Sequence, residues 1–96
     1  MSETIRQLEK WYRSRCDGEW EHAGGVKIDT LDNPGWTVAI DVPKKDVENG
    51  VWDEIRIDRA PDDWMRCWQE GPRFRGCGDP GKLEQILDYF LSKMHI

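Results

Sequence analysis

Residues 26–42 read VKIDTLDNPGWTVAIDV, and this stretch decides the fold of the chain. Apolar residues alternate with polar ones on both sides of its centre, as they do in strands that bury one face. The central residues, Asp32-Asn33-Pro34-Gly35, favour a turn because proline presets φ and glycine accepts a positive φ. We therefore predict a β-hairpin with strands over residues 26–30 and 36–42.

The chain that follows the hairpin predicts further strands. A shorter strand is expected around residues 54–59, with Ile55 and Ile57 facing the core. Residues 64–69, WMRCWQ, fit either a helical turn or a strand, and their aromatic content favours the strand. The turn residues that follow, Glu70-Gly71-Pro72, also favour a strand, which would pair with a further short strand over residues 73–77.

A helix is predicted at the beginning of the chain, from Ser2 or Thr4 to about Cys16. Thr4 with Gln7 three residues later fits a capping box. Helical spacing groups several apolar residues into one stripe that we expect to be buried: Ile5, Leu8, Trp11, Tyr12 and Cys16. Asp17-Gly18 ends the helix, because glycine readily takes the left-handed conformation that closes a helix.

The C-terminal segment gives the strongest helical pattern in the chain. Asp79-Pro80 resembles a helix start, with Asp79 as the N-cap and proline at the first helical position. The apolar residues that follow keep one helical face throughout: Leu83, Ile86, Leu87, Phe90, Leu91 and Met94. The element order predicts an α+β fold, a single domain over residues 1–96, with an antiparallel sheet of four to five strands and an N-terminal and a C-terminal helix packed against it.

Negative charge is concentrated in the middle of the chain. Residues 17–53 carry nine acidic side chains against three basic ones, whereas the formal charge of the whole chain is −5. Such a region repels phosphate and attracts basic partners, so direct binding of nucleic acid is disfavoured. The alternative interpretation is a solvated face without a binding role.

No cofactor, metal site or catalytic centre is predicted. The three cysteines include no Cys-x-x-Cys pair, and the two histidines, His22 and His95, form no ligand pair with each other. Cys16 and His22 lie close enough in the sequence to meet, but Cys16 also completes the apolar stripe, which favours a buried structural thiol. Unpaired thiols fit a cytoplasmic protein, and no apolar run is long enough to span a membrane or act as a leader.

Six tryptophans make this small chain unusually rich in large rings. We expect one or two of them to stay partly exposed, and exposed tryptophan is enriched where proteins bind each other. The connection Glu19-Trp20-Glu21-His22 combines such a ring with carboxylates, so we predict a protein-binding surface there. For Asp32 and Asn33 a turn-holding role is the competing interpretation.

Two blocks of the sequence resemble the immunity protein 53 family of bacterial polymorphic toxin systems. They are the Cys-Asp-Gly-Glu-Trp-Glu-His stretch at residues 16–22 and the Thr-Leu-Asp-Asn-Pro-Gly-Trp stretch at residues 30–36. The resemblance implies a cytosolic protein, not an enzyme, that neutralises a cognate toxin domain by binding it. The partner-binding residues that we predict within these blocks are Asp17, Glu19, Trp20, Glu21, His22, Asp32, Asn33 and Trp36.

The chemistry of the toxin is not implied by the resemblance. The acidic central region favours a basic target, and a nuclease domain whose phosphate-binding cleft would be covered is one hypothesis. Two other classes of function remain open at this point: an adaptor or regulatory module that binds a different protein, and a small enzyme that uses Cys16 with His22.

Overall fold

The computed structural model of the chain describes residues 3–46 and 52–94. Five strands and three helices make up this part of the protein, besides one 3-10 turn at Lys44–Asp46. In chain order they are α1 (Glu3–Arg15), α2 (Trp20–Ala23), β1 (Val26–Leu31), β2 (Gly35–Asp41), β3 (Ile55–Ala60), β4 (Asp63–Glu70), β5 (Arg73–Gly78) and α3 (Leu83–Ser92).

The strands form one antiparallel sheet in the order β1-β2-β5-β4-β3. The predicted hairpin is present, with Ile28 opposite Val38, and Val38 is in turn opposite Gly76 of β5. The predicted α+β fold with terminal helices is confirmed. Residues 63–70 form a strand, so the helical-turn alternative for that segment is wrong.

The helices lie on one face of the sheet, and the core lies between them. Alternate residues of the three central strands point into it and are fully or almost fully buried: Val38, Ile40, Met65, Cys67 and Phe74. The opposite face of the sheet is not covered by any element of the described residues. The sheet is therefore a one-sided layer, as is common for antiparallel sheets.

Phe90 of α3 lies at the centre of the core. Its ring meets Trp11 edge-on with the centroids 4.8 Å apart, stacks on Trp52 at 5.3 Å, and contacts Phe74 at 5.3 Å. The Trp52 indole also donates a hydrogen bond to the Phe90 carbonyl oxygen, at 3.3 Å. Phe90 thus connects α3 with α1, with β5 and with Trp52 in the segment before β3.

Gly76 lets α3 approach the sheet closely. A Cβ atom at this position would lie 2.5 Å from Cγ2 of Ile86 and 3.4 Å from Sγ of Cys67. Because real contacts of carbon atoms are longer than this, any other residue would push the helix or its side chains outward. The absence of a side chain at residue 76 therefore sets the distance between α3 and β5.

The buried stripe of α1 differs from the predicted one. Leu8 and Trp11 are buried as expected, but Ile5, Tyr12 and Cys16 are exposed. Successive helical residues point about 100° apart, so the rotation that buries the large Trp11 ring against Phe90 turns Tyr12 outward. Cys16 is accordingly not the buried thiol that the sequence pattern suggested.

Thr4 also has a different role from the predicted cap. It lies inside α1, is buried, and its hydroxyl hydrogen-bonds to the carboxylates of Asp88 and Glu84 on α3. The start of α1 is therefore attached to α3 by a polar contact between the two helices. The packing of α1 on α3 replaces the local capping interaction that the sequence pattern predicted.

The last helix begins at Leu83, three residues later than Asp79-Pro80 suggested. Asp79 is buried and holds the connection before the helix instead of capping it. Its carboxylate accepts the backbone N–H groups of Trp64 and Gly81, each at 2.8 Å, and contacts Lys82 at 2.7 Å. The residue at the N-cap of α3 is Lys82, so Asp79 binds the residue that takes the cap position instead of occupying that position itself.

Lys82 connects this buried carboxylate to a second one. Its ammonium group also contacts Asp63 at 2.8 Å, and Asp63 is bound in addition by Arg59 at 3.0 Å. The hydrogen bonds from Arg59 and then Lys82 lower the pKa of Asp63 to about 2. The hydrogen bond from Lys82 likewise lowers the pKa of Asp79, and both contacts raise the pKa of Lys82.

The Phe90→Ala variant should lose about 3–5 kcal/mol of unfolding free energy, because it removes the ring on which three other rings pack. A domain of this size has about 5–15 kcal/mol in total, so urea unfolding should still give a measurable transition. Gln85→Ala, on the exposed side of the same helix, should change little. A similar, small loss in both variants would contradict the central role of Phe90.

The Asp63–Lys82–Asp79 cluster should make the protein sensitive to acid. Both carboxylates have lower pKa values folded than their ordinary value of 3.8, so their stabilising contribution is complete above about pH 4. It should decline as the pH falls through the folded pKa, which for Asp63 is about 2.

The decrease in unfolding free energy between pH 5 and pH 2 should be smaller in Lys82→Met than in the unaltered protein. Lys10→Met, an exposed lysine of α1, serves as the matched control and should leave the decrease unchanged. Identical pH profiles for all three proteins, measured by urea unfolding, would contradict this assignment.

Candidate functional site

The first predicted block forms a tight loop followed by the short helix α2. α1 ends at Arg15, and Gly18, three residues later, has a φ of +93° within the loop that follows the helix. One carboxylate oxygen of Asp17 accepts the N–H groups of Glu19 and Trp20, at 2.9 and 3.0 Å. In return, the Glu21 carboxylate accepts the N–H groups of Asp17 and Gly18, at 2.9 and 2.7 Å. Asp17 and Glu21 therefore form a reciprocal cap that holds the loop.

This arrangement also determines the electrostatics of Glu21. Hydrogen bonds from the backbone N–H groups of Glu21 itself, Asp17 and Gly18 lower the pKa of the Glu21 carboxyl. The carboxylate is consequently ionised and oriented toward its own backbone at neutral pH. It contributes negative charge to this end of the protein while it holds the loop.

Trp20 attaches α2 to α1. Its ring lies edge-on to Trp11, with the centroids 5.6 Å apart and the planes at 86°, and contacts Tyr12 at 5.6 Å. The indole N–H is buried and has no hydrogen-bond partner among the described residues. The ring is partly buried, so α2 is fixed as a unit and displays its exposed neighbours Glu19 and His22 to solvent.

The second predicted block lies at the other end of the hairpin. Asp32 and Asn33 are exposed in the turn between β1 and β2. Trp36 is partly buried, and its indole N–H donates to the Pro80 carbonyl oxygen at 2.9 Å, which ties β2 to the segment before α3. The six residues of β1 separate the two blocks by about 20 Å at the usual strand rise. The structure therefore does not bring all predicted residues into one patch.

An apolar groove that the sequence analysis missed lies beside α2, between α1 and β1. It has a volume of about 340 Å³, and its walls include Ile5, Leu8, Tyr12 and Val26. Gly24 and Gly25, which directly follow α2, also line it. The groove was not predicted because Ile5 and Tyr12 were expected to belong to the buried stripe of α1.

Exposed apolar surface is concentrated at this groove. The large apolar residues that are exposed in the described part of the chain are Ile5 at 46%, Tyr12 at 39% and Ile28 at 39%. Ile28 lies two residues after Val26 on the same face of β1. A contiguous apolar surface of this kind is typical of binding sites. The only acidic residue in the groove lining is Glu9.

The uncovered face of the sheet is a second distinctive surface. Trp68 lies there between two guanidinium groups, 4.5 Å from Arg66 and 5.8 Å from Arg75. Arg66 pairs with Glu54 at 3.0 Å and Arg75 with Glu70 at 3.4 Å. These cations are thus largely neutralised by neighbours on the sheet, and the face has no excess of one charge.

The thiols give little support to nucleophilic or metal chemistry. Cys16 is exposed, and its Sγ donates to the Tyr12 carbonyl oxygen at 3.3 Å; within residues 3–46 it makes no hydrogen bond to His22. Burial raises the pKa of the Cys67 thiol to about 12, which opposes formation of a thiolate. No three His, Cys, Asp or Glu side chains of the described residues are grouped so that they could hold a metal ion.

The described part of the chain also contains no helix with both the length and the apolar character needed to cross a membrane.

Several acids of the central region have basic partners within the fold. Asp41 pairs with Arg73 at 2.8 Å, and Asp46 pairs with Arg15 at the end of α1. The negative charge available to a partner near α2 therefore comes mainly from Glu19, with Glu9 in the groove lining.

A family model described as Immunity protein 53 matches residues 5–95, which is nearly the whole chain. No curated protein and no solved structure matches the chain.

The Asp17→Ala variant should loosen α2, because it removes the acceptor of two backbone N–H groups. Loss of such a cap costs about 1 kcal/mol, equivalent to an approximately fivefold faster exchange of the amide hydrogens of Glu19 and Trp20. Glu19→Ala, at the exposed neighbouring position, should leave the exchange of the Trp20 amide unchanged. Equal exchange rates of that amide in both variants, measured by NMR, would show that the carboxylate of Asp17 does not hold the loop.

Proposed function

Because the chain belongs to the immunity protein 53 family, we propose that it binds and neutralises a cognate toxin domain in the cytoplasm of the bacterium that produces it. The match over residues 5–95 is the observation that carries this proposal. Neutralisation by stoichiometric binding requires a rigid surface on the immunity protein and no catalytic group. The rigid loop and α2 beside an apolar groove supply such a surface.

The binding surface that we propose is the end of the molecule formed by α2 and the groove. Asp17, Glu21 and Trp20 hold α2 in place, so Glu19 and His22 are presented to a partner without further ordering of the backbone. Preorganised groups bind more tightly because little conformational entropy is lost on association. Two residues thus contact the partner, while the other three position them.

Asp32, Asn33 and Trp36 are proposed to contribute at the far end of the hairpin. A standard interface covers about 800 Å² on each partner, which is roughly 30 Å across. An interface of this size can include both ends of β1. In this arrangement the turn residues Asp32 and Asn33 lie at the periphery of the interface, beside Trp36, whose indole is held by the Pro80 carbonyl oxygen.

We propose a basic target surface, with a nuclease domain as one candidate. Residues 17–53 carry nine acidic against three basic side chains, and Glu19 projects from this region beside the groove. Opposite charge on the two partners accelerates their encounter and orients them as they approach. The Glu19 carboxylate would also compete with phosphate for a basic residue of a nuclease cleft.

Growth of cells that express the C-terminal domain of the toxin encoded beside this gene, with and without this protein, tests the proposal. We expect growth to be restored and a one-to-one complex to be isolated from the surviving cells. Absence of both rescue and complex would contradict the immunity function and would favour a binding module for another protein.

Glu19→Lys should reduce the association rate with the toxin domain several-fold at low salt, because it places a positive charge where the partner is proposed to be basic. The matched control is Asp62→Lys, an equal charge change at an exposed turn on the opposite edge of the sheet. Association rates measured at two salt concentrations distinguish the variants. An equal effect of both substitutions would mean that only the total charge matters and not its position at α2.

A further inference from the structure

The two edges of the sheet are not equivalent. At one edge, β3 is interrupted by a bulge between Asp58 and Ala60, and its residues Ile55 and Ile57 pack against the core. At the other edge, β1 pairs with β2 in regular register over all six of its residues, and Ile28 is 39% exposed. Bulges protect an edge from pairing with another strand, whereas a regular edge with exposed apolar side chains favours such pairing.

The free backbone groups of β1 can be assigned from its hydrogen bonds. The N–H of Asp41 on β2 donates to the carbonyl oxygen of Gly25, at 3.0 Å. Hydrogen-bonded and non-hydrogen-bonded pairs alternate along an antiparallel ladder, so residues 27, 29 and 31 also bond toward β2. The N–H and C=O groups of Val26, Ile28 and Thr30 therefore point away from β2, toward the open edge.

Thr30 supports this assignment independently. Its N–H donates to the side-chain carboxylate of Asp29 at 2.9 Å and so is directed away from β2. The Asp29 carboxylate therefore already accepts the N–H of Thr30 at one end of the β1 edge. The donors of Val26 and Ile28, beside the groove, are the ones that an added strand would meet first.

The same residues also point their side chains toward the groove. Val26 and Ile28 lie opposite Ile40 and Val38, which face the core, so all four are on the side of the sheet that carries the helices. The groove between β1 and α1 lies next to them and is lined by Ile5 and Tyr12 of α1. A strand added to β1 would thus insert every second side chain between β1 and α1.

We propose that the edge of β1 and the adjoining groove bind an extended segment of the toxin, which becomes a sixth strand of the sheet. This inference rests on the proposed function and specifies the recognition mode. Backbone hydrogen bonds from residues 26 and 28 supply affinity, and the groove selects apolar side chains at alternate positions of the segment. Glu9 in the groove and Asp29 at the edge favour lysine or arginine beside those apolar positions.

Amide hydrogen exchange of the full chain, free and in complex with the C-terminal domain of the neighbouring toxin, tests the inference. In the free protein the amides of Lys27 and Asp29 should exchange slowly and those of Val26 and Ile28 rapidly. In the complex, the amides of Val26 and Ile28 should become at least about tenfold slower, because they gain acceptors on the added strand.

Two substitutions provide a second measurement. Ile28→Pro removes an edge N–H without removing a ladder bond to β2, and proline is tolerated on edge strands. Ile5→Glu places a charge in the groove at an exposed position, so the fold should be retained. Each should weaken binding of the toxin domain by about tenfold.

Two controls lie outside the groove, and the first of them matches Ile5→Glu. Gln7→Glu adds the same charge to the same helix, and Arg56→Glu alters an exposed residue of the uncovered sheet face; both should bind normally. Formation of the complex with the Val26 and Ile28 amides still exchanging rapidly would overturn the inference but leave the proposed function intact. Failure of the unaltered chain to form any complex would instead overturn the proposed function.

Self-association of the chain is the remaining outcome of the hydrogen-exchange measurement. If the Val26 and Ile28 amides become protected in the absence of the toxin domain as the protein concentration rises, a second copy of the chain occupies the edge. That result would overturn the assignment of the edge to a toxin segment.

Discussion

The packing of three aromatic rings around Phe90 is the constraint on which the rest of the structure depends. Trp11, Trp52 and Phe74 come from different parts of the chain and all pack on this ring, and Trp52 also contacts Phe74 with the centroids 5.3 Å apart. In a chain of 96 residues, large rings replace many smaller apolar side chains, so few alternative packings can fill the same core. The position of α3 on the sheet and the rotation of α1 both follow from the packing of these rings around Phe90.

The rotation of α1 also creates the candidate site. Burial of Trp11 leaves Tyr12 and Ile5 exposed, and these residues become part of one wall of the groove beside β1. The outer edge of Trp11 then supports Trp20, which fixes α2 at the end of the same groove. Core packing and the proposed binding surface are therefore two consequences of one arrangement of side chains.

The acidic residues of the central region divide into two groups. Some stabilise the fold: Asp17 and Glu21 bind backbone N–H groups, and Asp41 pairs with an arginine of β5. Glu19, in contrast, is exposed directly before α2. Total charge along a sequence therefore overstates the charge that a partner meets, because a carboxylate that accepts hydrogen bonds from its own chain has fewer lone pairs available to a partner.

The sequence by itself determined the elements whose pattern is strictly local. The alternation in residues 26–42 specified the first hairpin, and the apolar stripe of residues 83–94 specified α3, because each pattern repeats the geometry of its own element. The family resemblance likewise depended on two short blocks, and the match over residues 5–95 confirmed it. Tertiary structure decided the features that depend on neighbours distant in the sequence. The orientation of α1 required Phe90, the role of Asp79 required Trp64 and Lys82, and the open edge of β1 required the strand order, none of which a local pattern encodes.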